Sequence, residues 1–216
     1  MRNENEVEHE ECKDYTIRIM QDDSPIDPRE SDDYLMGTML CFHRRYNLGD
    51  KHDLKHENFS SWGEIQEYLR KELRANIIIP LYLLDHSGLW IRAGRGFPED
   101  SGGWDSGVVG FIYTTPKRIR NMYAIKHITK EKLTQAEKEL YREVETYNDY
   151  LTGNVYGFIV EDPEGENIDS CWGFYGDEGM KEAYSQAKGT IDYESEKRTV
   201  EIDEAHAIEN GEEVMA

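Results

Sequence analysis

The sequence predicts an α+β fold, a mainly antiparallel sheet packed against two principal helices and flanked by acidic tails. Three observations lead there. Strand-like runs come in hairpin-like pairs. Two amphipathic segments open with helix-capping patterns. These segments interrupt the pairs rather than alternating strictly with strands. Along the 216 residues, residues 1–12 read as an acidic lead-in, 13–178 as a single α+β domain and 179–216 as an acidic C-terminal tail.

Each element has its own signal. DYTIRIM, residues 14–20, alternates and predicts a first strand, and QDDSPIDPRESDD, residues 21–33, has two prolines among turn formers and predicts a loop. Met36–His43 is an apolar second strand, and Arg44 to Asn58 is a polar connection. Ser61-x-x-Glu64 is a capping box, after which Trp62, Ile65, Leu69 and Leu73 share one helical face. Ile77–Asp85 is a continuous apolar run broken by Pro80, which predicts a strand that bends there or lies at an edge. His86-Ser87-Gly88 turns the chain into a hairpin partner, Leu89–Arg92. AGRGFPEDSGG, residues 93–103, is a glycine-rich loop leading through Trp104-Asp105-Ser106-Gly107 into another strand. Thr115 and Pro116 start a short helix, proline being tolerated in a first turn. Thr134-x-x-Glu137 caps the longest helix, striped by Ala136, Leu140, Val144, Tyr147 and Leu151 and closed by Gly153. Val155–Val160 and Ile168–Phe174 pair around Pro163-Glu164-Gly165. A short helix near 177–187 and an edge strand at Arg198–Ile202 complete the expectation.

Charge bounds the function. With 45 acids against 25 bases the formal charge is −20. Such a chain is repelled by phosphate backbones and anionic membranes, which excludes nucleic acid and membrane as ordinary direct partners. It suits basic protein partners, including those whose usual ligand is DNA or RNA; solubility or salt adaptation is the competing explanation. No apolar run is long enough to span a membrane, and the N-terminus lacks the apolar segment of a signal peptide. Cys12, Cys41 and Cys171 lie far apart, which fits a reducing, cytoplasmic compartment.

The turn at residues 104–107 has two readings. In one it shapes a strand entrance: Asp105 or Ser106 accepts amide hydrogen bonds, Gly107 takes a backbone angle closed to other residues, and Trp104 covers the core edge. In the other it belongs to a ligand loop, where Trp90, Arg92, Arg95, Trp104, Asp105 and Ser106 hold an anionic small molecule such as a nucleotide. His43, Asp85 and Ser106 follow the residue order of a serine-protease triad, but there is no nucleophile elbow and no room for two β-barrels. His52 and His56 have the four-residue spacing of zinc ligands on a helix, without an evident third ligand. An Asp85-oriented His86 has the makings of a general base, though such a trio more often closes a hairpin. Cys171 is expected to pack inward, and Glu143 and Glu145 point to different helix faces. His43-Arg44-Arg45 is a compact basic island, an anion or partner contact. No catalytic residue, metal or cofactor is assigned.

Four blocks resemble a family of uncharacterised proteins from phages and mobile elements of bacteria and archaea. They are LYLLDHSG (81–88), WDSGVVGFIY (104–113), EVETYNDYL (143–151) and DSCWGFYG (169–176). The resemblance spans about residues 35 to 178 and brings no assigned activity. It implies a genomic setting in which proteins often neutralise host restriction or other immunity, placing the chain in the host cytoplasm if phage-encoded. Joined to the charge, it leads to an expected function: a non-enzymatic accessory protein that inhibits a host defence by binding a basic protein surface, as a nucleic-acid mimic. The alternative is a protein that binds or sequesters a nucleotide through the 92–107 loop.

Overall fold

The structure is a computed structural model that describes residues 5–30, 35–100 and 102–209. The α+β class holds, with two four-stranded antiparallel sheets in place of the expected one. They belong to two compact units: unit 1, Met1–Pro25 with Gly153–Ala216, and unit 2, Ile26–Thr152.

Unit 2 contains β3 (Thr38–Cys41), α1 (Trp62–Lys71), β4 (Ile77–Asp85), β5 (Leu89–Ala93), β6 (Ser106–Thr114), α2 (Pro116–Met122) and α3 (Lys130–Thr152). The strand order is β3-β6-β4-β5. One face packs Met39, Ile79, Leu81, Leu83 and Ile112 against Leu140, Val144 and Tyr147 of α3. The other packs Leu40 and Phe111 against Ile65 and Leu69 of α1. Burial on both faces explains why Ile77–Asp85 reads as a continuous apolar run rather than an alternating one. A bulge opposite Leu81 and Tyr82 skips Val109, which lets Val109 and Ile112 share the α3 face. Pro80 lies in an interior strand, contrary to a simple edge position. Its carbonyl accepts from Gly94, so its nitrogen faces the β5 side just past Ala93, where β5 ends and no ladder donor is needed. At Gly110 a Cβ would sit 1.9 Å from the Leu40 carbonyl oxygen, so the β3–β6 pairing requires glycine there.

The helix signals are largely realised. Ser61 Oγ accepts from Glu64 N, while the Glu64 carboxylate reaches Ser60 rather than Ser61. Thr115 caps α2 with Pro116 in its first turn. The α3 helix starts four residues before Thr134, at a Thr129 whose hydroxyl accepts from Lys132 N. Gly153 closes it with φ +74°.

Unit 1 contains β1 (Glu6–Cys12), β2 (Tyr15–Gln21), β7 (Val155–Glu161), β8 (Asn167–Tyr175) and α4 (Gly176–Glu209). The order is β1-β2-β7-β8, every pair antiparallel. Tyr15, Ile17, Ile19, Phe158 and Val160 pack on one face against Ala183, Ala187 and Ile191 of α4. Both terminal segments therefore differ from the sequence expectation. The acidic lead-in forms a strand, invisible to hydrophobic periodicity because its exposed residues are mostly glutamates and it holds its place through backbone bonds at a sheet edge. Its two-residue turn, Lys13-Asp14, has positive φ at both positions without a glycine to announce it. The predicted C-terminal tail lies largely in α4, which also replaces the expected edge strand at 198–202 with helix. Among the described residues of α4, Ala183 and Ala187 take two of the buried positions facing this sheet, so the apolar stripe is faint.

Candidate functional site

Charge divides unequally between the units. Unit 1 carries 25 acids and 7 bases, a formal charge of −18, whereas unit 2 carries 20 acids and 18 bases, −2. Among the described residues of unit 1, part of this charge stands on folded elements. Glu8, Glu10 and Glu11 are exposed on β1, and Asp177, Glu178, Glu182, Asp192 and Glu201 are exposed on α4. The described cations of this unit are committed: Arg18 to Glu6 and Glu161, Lys13 to Asp192, Lys188 to Glu10, Arg198 to Glu164, Lys181 to Glu178 and Lys197 to Glu194. Other carboxylates are held by neutral donors. Tyr184 Oη donates to Glu8 at 2.9 Å, Thr16 Oγ1 to Glu11 at 3.2 Å and Gln186 Nε2 to Glu182 at 3.2 Å. A neutral donor fixes a carboxylate without cancelling its charge. Burial, with the Glu8 carboxylate beside it, pushes the Tyr184 hydroxyl up to about 12.

In unit 2 the turn before β6 is built by Asp100. Its Oδ1 accepts from Trp104 N at 3.2 Å, and its Oδ2 from the amides of Asp105 and Ser106 at 3.0 and 2.8 Å. Hydrogen bonding, from the Ser106 side chain first, holds its carboxyl below the ordinary 3.8. The expected roles thus shift by a few residues: Asp105 and Ser106 donate to Asp100, and the positive φ belongs to Gly103 rather than Gly107. Trp104 covers no core edge; it is 90% exposed.

The six residues proposed for a ligand loop are split. Trp90, Arg92 and Asp105 line a pocket of about 440 Å³ with Glu99 and Asp100, while Arg92 and Arg95 line another of about 790 Å³ at the β5 edge with Glu145 and Asp149. Arg92 pairs with Glu99 at 3.1 Å and lies over the Phe97 ring. Trp104 and Ser106 line neither pocket. The basic island is split too: Arg45 pairs with Asp85 and His43 stacks on Tyr46, while Arg44 joins His43 at a third pocket, of about 580 Å³.

The catalytic and metal constellations are not assembled. His86 Nδ1 meets Asp105 at 3.0 Å instead of Asp85. His43 Nε2 is 3.8 Å from Asp85, whose carboxylate is shared with Arg45. Cys171 is exposed rather than packed inward. His52 and His56 do not share a helix: Nε2 of His52 meets the Cys41 carbonyl at 2.8 Å, and the His56 ring stands against Trp62. Among the described residues no group of three or more His, Cys, Asp or Glu is placed to hold a metal ion, and no helix is long and apolar enough to cross a membrane.

Sequence reasoning missed a buried ionic centre. Arg29, its side chain 2% exposed, holds Asp50 through Nε at 2.7 Å and Nη2 at 2.8 Å, and Glu143 through Nη1 at 2.9 Å. Glu143 also accepts from the amides of Met36 and Gly37, and Asp50 from Met39 N. Burial pushes the Glu143 carboxyl above its ordinary value despite the guanidinium, and it raises the neighbouring Cys41 thiol to about 12, leaving that thiol unreactive. This centre pins the connections around β3 to α3.

No protein-family model matches the chain, and no curated protein or solved structure matches it.

Proposed function

We propose that the protein is a non-enzymatic accessory protein of a phage or mobile element that inhibits a host defence system by occupying a basic protein surface in place of nucleic acid. One observation carries this reading. A charge of −18 resides in unit 1, where exposed carboxylates stand on a packed strand and helix. Solubility alone is served by interspersed charge of both signs, as in unit 2; a surface whose described cations are already paired is a surface for foreign cations. Fixing carboxylates through neutral donors preorganises that surface and lowers the cost of binding.

The test is competition. A restriction endonuclease bound to labelled duplex DNA is titrated with the protein between about 50 and 200 mM salt. Displacement of DNA, with affinity falling on the order of 10-fold or more over that range, is expected if several carboxylates replace phosphate contacts. Failure to displace, or displacement indifferent to salt, would count against mimicry.

A second reading, nucleotide binding through the 92–107 loop, draws on the pocket at the β5 edge, where Arg92 and Arg95 meet Gly94 and Gly96. Its weakness is electrostatic: Glu145 and Asp149 line the same pocket, and Arg92 is already paired.

A further inference from the structure

The connection between β3 and α1 collects cations in a way that residue spacing concealed. The chain leaves β3 at Cys41 and doubles back, so that Gly49 bridges to Leu40 and Asp50 N donates to the Met39 carbonyl at 2.8 Å. Tyr147 Oη accepts from Gly49 N at 2.9 Å, and Asp50 is locked to the buried Arg29. The loop is therefore anchored at its middle, and its two arms wall the pocket of about 580 Å³. From one arm come His43 and Arg44; from the other come Lys51, His52, Lys55 and His56. Phe42 also lines it, its ring meeting His52 edge-on at 5.1 Å and His56 at 5.7 Å.

The charges do not cancel. Among the described residues none of Arg44, Lys51 or Lys55 has a carboxylate partner, and all three are exposed. Among the described residues Asp50 is the one acid on the wall, and it is committed to Arg29; Asp53 and Glu57 of the same stretch do not line the pocket. Three cations and three imidazoles around one concavity are unusual in a chain of charge −20, and unit 2, at −2, supplies little field against them. His52 adds an unmet valence. With Nε2 engaged by a carbonyl, which can only accept, its Nδ1 is buried without a partner.

We infer that this pocket is an anion site that takes the phosphate group of a phosphorylated small molecule, with Arg44, Lys51 and Lys55 as its charged donors. Arg offers a forked donor pair and Lys a point charge, a pairing suited to a tetrahedral dianion. The volume falls within the range of small-molecule sites and exceeds a bare phosphate, so a nucleoside monophosphate serves as the first probe. The site is distinct from the acidic surface of unit 1 and from the β5-edge pocket, and does not depend on either reading above.

Calorimetry with adenosine monophosphate, inorganic phosphate and adenosine tests it on the full chain. The monophosphate is expected to bind at least about tenfold more tightly than adenosine, because the difference is the charge-assisted contact to phosphate. The Arg44→Gln/Lys51→Gln/Lys55→Gln variant should lose about tenfold or more, with its circular dichroism unchanged because the three side chains are exposed. Heat from inorganic phosphate alone, abolished in that variant, equally supports a phosphate site. No heat from either phosphate-bearing probe, or equal affinity in the triple variant, overturns the inference. Loss of binding in Arg95→Gln instead would also overturn it, by moving the anion to the β5 edge.

Discussion

Arg29 lies in a stretch that reads as a loop, and its partners sit 21 and 114 residues away. No local period links an arginine in a proline-rich loop to an aspartate after Asn47-Leu48-Gly49 and a glutamate on a helix, so this centre was beyond sequence reasoning. Removing the guanidinium strands two carboxylates inside the protein. Arg29→Met is expected to lower unfolding free energy by about 3–5 kcal/mol in urea titration. Glu143 gives the pH dependence its sign. Its folded carboxyl titrates above the ordinary 4.5, so the native state holds more protons than the unfolded chain between 4.5 and the folded value. Its contribution to stability therefore falls as pH rises through that window, and Glu143→Gln should flatten this component of a stability-versus-pH curve. Asp100 has the opposite sign. Its contribution is present above 3.8 and lost as pH falls through its lower folded value. Asp100→Asn keeps one oxygen in place of two, so amide exchange at two or more of Trp104, Asp105 and Ser106 should accelerate about tenfold or more. Here the sequence placed the turn correctly and its acceptor wrongly, since Glu99, Asp100, Ser101, Asp105 and Ser106 are all acidic or hydroxyl residues able to satisfy the same pattern.

Helices with wide apolar faces were legible from their residues: Ile65 and Leu69 of α1, and Ala136, Leu140, Val144 and Tyr147 of α3, are buried as their spacing predicts. The α4 helix was not, because Ala183 and Ala187 carry little hydrophobic signal and the rest of its surface is charged. Burial nonetheless divides it. Ile191 is fully buried against β2 and β7, whereas Ile202 is 48% exposed. Ile191→Ala should cost about 2–5 kcal/mol, and Ile202→Ala within about 0.5 kcal/mol, measured by thermal unfolding of the full chain. Equal costs would mean that the helix is packed uniformly. The β1 strand shows the complementary case, an element with little apolar burial, held by backbone pairing to β2 and by polar side-chain contacts of its glutamates. Its glutamates guard a free sheet edge against pairing with other strands while adding to the acidic surface.

The unequal division of charge emerges only when the chain is cut where the structure cuts it. Divided by sequence position, the excess acid spreads over lead-in, domain and tail; divided by compact unit, almost all of it falls to one side. Replacing Glu8, Glu11, Glu182 and Glu201 by Gln should weaken capture of a basic DNA-binding protein by about tenfold at low salt. The same number of exchanges in unit 2, at Glu57, Glu72, Glu131 and Glu137, should leave capture within about twofold, because the charge on that unit is already nearly balanced. Equal losses from both sets would assign the effect to net charge alone. The division also has a history in time. β2 hydrogen-bonds to β7, whose first residue emerges more than a hundred positions later, with all of unit 2 made in between. At roughly 5–20 residues per second, the first hairpin waits several seconds on the ribosome with Ile17 and Ile19 uncovered. The glutamates of its outer strand are expected to disfavour pairing with the identical segment of a neighbouring nascent chain during that interval.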